Sequence, residues 1–174
     1  MESIIIRNTS DPNFPAVWEI YNYSFPENEK RELNHQITAL LSENYRMYCY
    51  LDNEKIVEFI GCWEFDKYVY IEHFAIDKNS RGGGYGSRIL SEFMKSTEKP
   101  IILEIDQVID EISTKRLKFY KKLGFIETGI THDGHRYHDN DIVPKLEILS
   151  YPYAIESTMY EKFNEDLRNT VMKR

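Results

Sequence analysis

Cysteine and glycine are scarce in this 174-residue chain, and basic residues are outnumbered by acidic ones. Its two cysteines, Cys49 and Cys62, each sit inside an apolar run and lack the CxxC or histidine spacing of a metal site. They read as reduced core residues, and no metal is expected. Lys and Arg number 22 against 29 Asp and Glu, a net charge of −7. That balance argues against non-specific nucleic-acid binding and mildly favours a cationic partner such as an amine. No stretch approaches the ~20 apolar residues of a membrane span, and the apolar run after Met1 is too short for a signal peptide. A cytoplasmic protein is expected, with no membrane partner.

What remains is the composition of an ordinary globular chain, long enough for one domain over residues 1–174. The aromatic share of 14% is high, and its 13 tyrosines could line a pocket or fill a core. Ile4 to Ile6 reads as a strand, and Phe14, Val17, Ile20 and Tyr21 have helical spacing. Pro26 breaks that helix, and Leu33 to Leu41 suggests a second. Tyr45 to Leu51, Ile56 to Phe65 and Tyr68 to Ile76 form an antiparallel meander joined by tight turns. Beyond a glycine stretch, a helix from Tyr85 to about Thr97 presents Ile89, Leu90, Phe93 and Met94 on one face. A strand from Pro100 to Ile105 and a helix from Ser113 to Leu123 follow, with Gly124 placed to cap the helix. Strand returns over Phe125 to Ile130. A polar, histidine-rich loop from Thr131 to Asp141 leads to a last strand near Leu146 to Tyr151. Ala154 to Met172 reads as a terminal helix, with Ile155, Met159, Phe163 and Leu167 either packed on the core or forming a dimer contact.

The informative segment is Arg81-Gly82-Gly83-Gly84-Tyr85-Gly86-Ser87, between a strand and a helix. Small residues there let backbone N–H groups at a helix N-terminus approach an anion such as a pyrophosphate. A Walker loop is excluded because no Lys lies between Lys78 and Lys95. A dinucleotide fingerprint counted from Gly82 and Gly84 would need Gly at 87, where Ser stands, and parallel strands before it.

Arg81, Gly84 and Gly86 match the acetyl-CoA signature of the GNAT superfamily: Arg or Gln, two residues, Gly, one residue, Gly or Ala. Glu72-His73-Phe74-Ala75-Ile76 looks like that family's strand before the loop. Phe119-Tyr120-Lys121-Lys122-Leu123-Gly124-Phe125 is similar to its second signature, a Phe-Tyr helix running into a Gly-Phe turn. The resemblance covers about Tyr45 to Ile130. It implies an α+β fold with a central, mostly antiparallel twisted sheet of about seven strands, flanked by helices and extended by a C-terminal helix. It also implies an acyltransferase that passes an acetyl group from acetyl-CoA to a primary amine, as monomer or homodimer. A catalytically idle acyl-CoA sensor is the alternative.

The resemblance further implies site residues. Phe74, Ala75 and Ile76 would offer backbone groups to acetyl-CoA, and Arg81, Gly82, Gly83, Gly84, Tyr85, Gly86 and Ser87 would cradle its phosphates. Ser113 stands where many members carry a cofactor-contacting Asn, and keeps a donor with shorter reach. Tyr120 looks like the general acid for the departing thiolate, the competing reading being a core tyrosine. Glu72 is the first candidate base, the competing reading being a surface or ion-paired glutamate; His73 is the runner-up. Strand alternation predicts that Glu72 and His73 face opposite ways. His132, His135 and His138 lie in a loop whose family counterpart can border the acceptor pocket. Tyr23, Phe25, Glu27, Glu29 and Arg31 either line that pocket or form a solvated charge run.

Overall fold

Residues 1–139 and 142–173 are described by the structure, a computed structural model. The chain runs β1 (Glu2–Ile6), α1 (Phe14–Ser24), α2 (Leu33–Leu41), β2 (Tyr45–Asp52), β3 (Lys55–Glu64) and β4 (Val69–Ile76). It continues through α3 (Tyr85–Lys95), β5 (Ile101–Asp106), α4 (Glu111–Lys122), β6 (Ile126–Asp133), β7 (Lys145–Tyr151) and α5 (Ser157–Asp166). The meander and the α2 boundaries follow the sequence pattern closely. Two predicted spans change. β6 continues through Asp133, so it takes the first three positions of the predicted loop, whose last two residues lie outside the described ones. The terminal helix is α-helical only over Ser157–Asp166, and Leu167–Val171 widens to π geometry.

Seven strands form one sheet in the order β1-β2-β3-β4-β5-β7-β6. Every neighbouring pair is antiparallel except β4 and β5, which are parallel. That pairing spans only Val69–Ile71 against Ile101–Leu103, after which the two strands part. One face of the sheet is covered by α1, α2, α5 and the π turn that follows it, through Val17, Tyr21, Leu40, Phe163 and Leu167. The other is covered by α3 and α4 through Ile89, Leu90, Phe93 and Tyr120. Phe163 is fully buried against the rings of Tyr68 and Tyr70, so α5 packs on the core of this fold. Truncating such a residue to Ala costs about 3–5 kcal/mol.

Candidate active site

The parting of β4 and β5 makes the site. Past Ile71 and Leu103 each strand turns every second backbone N–H and C=O toward a neighbour that has moved away. Glu72 illustrates this: its side chain is 1% exposed, yet the residue as a whole is half-buried, so the accessible surface is main chain. A cleft of about 360 Å³ opens there, lined by Phe25 and Glu29 before α2, Glu72 to Phe74 of β4, Glu104 to Asp106 of β5, Tyr120 of α4, and Tyr137. A volume near the lower end of the usual range for ligand sites suits a side-chain-sized guest.

At the far end of β4 the glycine loop enters α3. Gly84 is the N-cap residue at φ +73°, and Gly82 has φ +83°, both in the left-handed region that glycine adopts without strain. No side chain caps α3, so the first N–H groups of the helix, from Tyr85 onward, face outward unclaimed by a cap. Gly86 is buried, and a Cβ there would lie 2.6 Å from Ile76 Cδ1, so the missing side chain lets α3 sit directly on β4. Arg81 is exposed beside the loop with no salt-bridge partner among the described residues. Ser87 donates to the Gly84 carbonyl at 3.2 Å, and Tyr85 donates to Asp52 at 2.5 Å. Donors, positive φ and an uncapped helix end are the features by which a helix N-terminus receives an anion.

Glu72 does not have the environment of a base. Its Oε2 accepts from Arg31 Nη1 at 2.7 Å and Trp63 Nε1 at 2.8 Å, and Oε1 accepts from Tyr137 at 2.7 Å. Burial alone would raise its pKa. Attraction to Arg31 and His73 and the hydrogen bonds from Arg31 and Trp63 overcome burial and bring it down to about 2. A carboxylate so held has little tendency to take a proton at neutral pH, and the expectation of Glu72 as base is corrected on that ground. The ion-paired reading is the one the geometry supports. The predicted opposition of Glu72 and His73 is also overturned. Gly61 pairs with His73 and Cys62 with Ile71, so Glu72 is an extra residue, and the bulge breaks the alternation.

His73 is 2% exposed and its Nε2–H donates to the Glu29 carbonyl at 2.9 Å. Since a carbonyl only accepts, the bare nitrogen is Nδ1, which has no hydrogen-bond partner among the described residues. Burial pulls the His73 pKa below its ordinary value, against the pull of Glu72.

Tyr120 lines the cleft from α4, packed edge-on against Phe119 and Phe125. Its hydroxyl has no hydrogen-bond partner among the described residues. Burial pushes its pKa up to about 12, so the phenol keeps its proton. Ser113 is committed elsewhere. Its N–H donates to Asp110 Oδ1 at 2.7 Å, its hydroxyl donates to the same carboxylate at 2.6 Å, and Oγ accepts the N–H groups of Ile109 and Asp110 at 3.1 Å. This capping box uses the hydroxyl at the start of α4, which corrects the expectation of Ser113 as a cofactor contact.

Sequence reasoning missed the hub at Arg31. Its guanidinium, 6% exposed at residue level, also donates Nη2–H to the Val171 carbonyl at 2.9 Å and lies over the rings of Trp63 and Tyr137 at 5.6 and 5.5 Å. Four distant segments meet there, and no local pattern announces such a meeting. A second chain runs behind β5. Tyr70 donates to Glu104 at 2.6 Å, Glu104 meets His132 Nε2, and His132 Nδ1 lies 3.1 Å from the Tyr160 hydroxyl. Of the histidine trio, His135 borders the cleft, His132 stands behind it, and His138 bonds the Glu27 and Lys30 carbonyls.

Comparison with known proteins agrees with this geometry. A family model described as an acetyltransferase (GNAT) domain matches residues 43–127. YjbC of Bacillus subtilis strain 168, named as a candidate acetyltransferase, is 32% identical over 149 residues, covering 84% of this chain and 74% of that protein. The structure of a candidate GNAT-family acetyltransferase from Bacteroides thetaiotaomicron matches with a TM-score of 0.91 at 28% identity, over 99% of this chain and 98% of that one. A Bacillus subtilis acetyltransferase solved in complex with CoA matches with a TM-score of 0.59 at 13% identity, over 86% of this chain and 96% of that one, a likeness of fold alone.

Proposed function

Because the chain belongs to the GNAT acetyltransferase family, we propose that it transfers the acetyl group of acetyl-CoA to a primary amine by direct attack in a ternary complex. The observation that carries this reading is the parted β4–β5 pair, which leads from an uncapped helix N-terminus at one end to the free hydroxyl of Tyr120 at the other. The N–H groups from Gly82 to Ser87, with Arg81 beside them, would hold the pyrophosphate. The main chain of Phe74, Ala75 and Ile76 would pair with the amides of the pantetheine arm, in place of the missing β5 partner. The fit rests on Gly86, whose absent Cβ brings the helix end against Ile76.

An unpaired β4 N–H would hold the oxygen of the tetrahedral intermediate, and such a preorganised donor contributes about 2.7–4 kcal/mol. Tyr120 would give its proton to the departing thiolate and recover one from the nitrogen. This chemistry needs no metal. Among the described residues no group of three or more His, Cys, Asp or Glu is arranged for one. The described residues share one sheet, which supports a single domain over residues 1–174. No described helix is long and apolar enough to cross a membrane. Both cysteines are free and buried, which suits the reducing, cytoplasmic setting proposed for this chain.

Calorimetric titration of acetyl-CoA, with NAD as comparison, followed by a thiol-release screen over amines, tests the reading. Binding of acetyl-CoA but not NAD, with thiol released on adding an amine, is the expected result. Binding without release would favour the idle sensor, and no binding would remove the reading altogether.

A further inference from the structure

With Glu72 locked to Arg31, the cleft needs another group to take the proton of an ammonium acceptor. Glu29 lines the same cleft as Tyr120, on the segment between α1 and α2. Its carboxylate has no hydrogen bond or ion pair among the described residues, in contrast to the three donors on Glu72. Its backbone is anchored, because His73 donates to the Glu29 carbonyl at 2.9 Å. The charged groups facing it are Asp106 at the end of β5 and Arg116 of α4, themselves paired at 2.6 Å. Arg116 stands one helical turn before Tyr120 and acts electrostatically on both Glu29 and Tyr120. Glu29 and Tyr120 therefore look across one small volume.

Resting on the acetyl-transfer reading, we infer that Glu29 is the catalytic base, receiving the acceptor as a cationic amine and removing its proton before attack. Partial burial, reinforced by Asp106 and opposed by Arg116, raises its pKa above the ordinary carboxylate value, which improves it as a proton acceptor. The protons balance as follows. The ammonium R–NH3+ gives one proton to Glu29, and the freed lone pair forms the C–N bond while the carbonyl pair moves to oxygen. The C–S bond then breaks, Tyr120 protonates sulfur, and the second nitrogen proton returns to the Tyr120 oxygen. Glu29 releases its proton to water. The products are the amide, CoA thiol and one proton.

The test measures acetyl-CoA-dependent thiol release at pH 7 with two probe amines, n-butylamine, which is protonated there, and 2,2,2-trifluoroethylamine, which is already neutral. Glu29→Gln should lose about 10²-fold or more in kcat/KM with butylamine. It should stay within a few-fold of the parent with trifluoroethylamine and bind CoA unchanged. Equal losses with both amines, or no loss with either, would overturn the role of Glu29 while leaving acetyl transfer standing. A parent protein that releases thiol with neither amine overturns acetyl transfer to amines, and this inference with it. If Glu29→Gln does not fold, Glu29→Asp keeps the charge, withdraws it by one methylene, and should show the same selective loss.

Discussion

Glu72 and His73 are neighbours in β4, yet both turn toward the face covered by α1 and α2, with His73 Nδ1 3.8 Å from Glu72 Oε2. The bulge at Glu72 produces this arrangement, and Tyr137 touches both, bonding the carboxylate at 2.7 Å and lying 6.0 Å from the imidazole. Two side chains that plain alternation would separate thus belong to one buried cluster around Arg31.

Removing the Glu72 charge should expose how much that cluster matters. Glu72→Gln leaves Arg31 buried without its counter-ion, which costs about 3–5 kcal/mol. Denaturant unfolding would show the loss as a lower midpoint. The folded pKa lies near 2, below the ordinary 4.5, so this stabilisation is present above pH 4.5 and disappears as pH falls through 2. Acid titration of the parent followed by near-ultraviolet circular dichroism should show that decline, and Glu72→Gln should lack it.

Glu58 has the opposite sign. Its side chain is fully buried in β3, both oxygens lack partners among the described residues, and burial lifts its pKa from 4.5 to about 8. The folded state then holds a proton that the unfolded state has lost, so stability falls as pH rises from 4.5 to 8 and stays low above it. At about 1.4 kcal/mol per pH unit the loss reaches several kcal/mol. Glu58→Met should flatten that dependence and raise the melting temperature at pH 8.5. A parent whose stability is level across this range would contradict the assignment.

Tyr120→Phe removes only a hydroxyl that bonds to no described residue, so folding and CoA affinity should stay close to the parent. Turnover should drop by about 10²-fold or more if the phenol protonates the leaving thiolate. Equal losses in calorimetric affinity and turnover would instead make it a binding residue.

In the loop before α3, Gly84→Val forces a β-branched residue to φ +73°, a conformation that L side chains rarely adopt. Acetyl-CoA binding should disappear, with a stability loss of about 1–3 kcal/mol. Gly86→Ala, whose new methyl meets the movable end of Ile76 at 2.6 Å, should weaken binding less. An unchanged dissociation constant in both would argue that the loop is a turn and nothing more.

The sequence alone was enough to place the meander, the order of strands and helices from Tyr45 to Phe125, and the glycine loop. These depend on local periodicity, on turn chemistry and on backbone angles that only glycine accepts. It also singled out Tyr120, through the resemblance of Phe119 to Phe125 to a family signature, while helical spacing by itself pointed only to a core tyrosine. Only the tertiary structure decided what surrounds the carboxylates. Glu72 and Glu29 look alike as residues. Glu72 lies under Arg31, Trp63 and Tyr137, brought from three other parts of the chain, while the Glu29 carboxylate, at the cleft wall, has no hydrogen bond or ion pair among the described residues. The proton affinity of a carboxylate is set by burial and by the charges within a few ångströms, and those neighbours are chosen by the packing of distant segments. The bulge at Glu72 and the capping of α4 by Ser113 belong to the same class. Each depends on register and hydrogen-bond competition in the folded chain, which residue order constrains only through the whole fold.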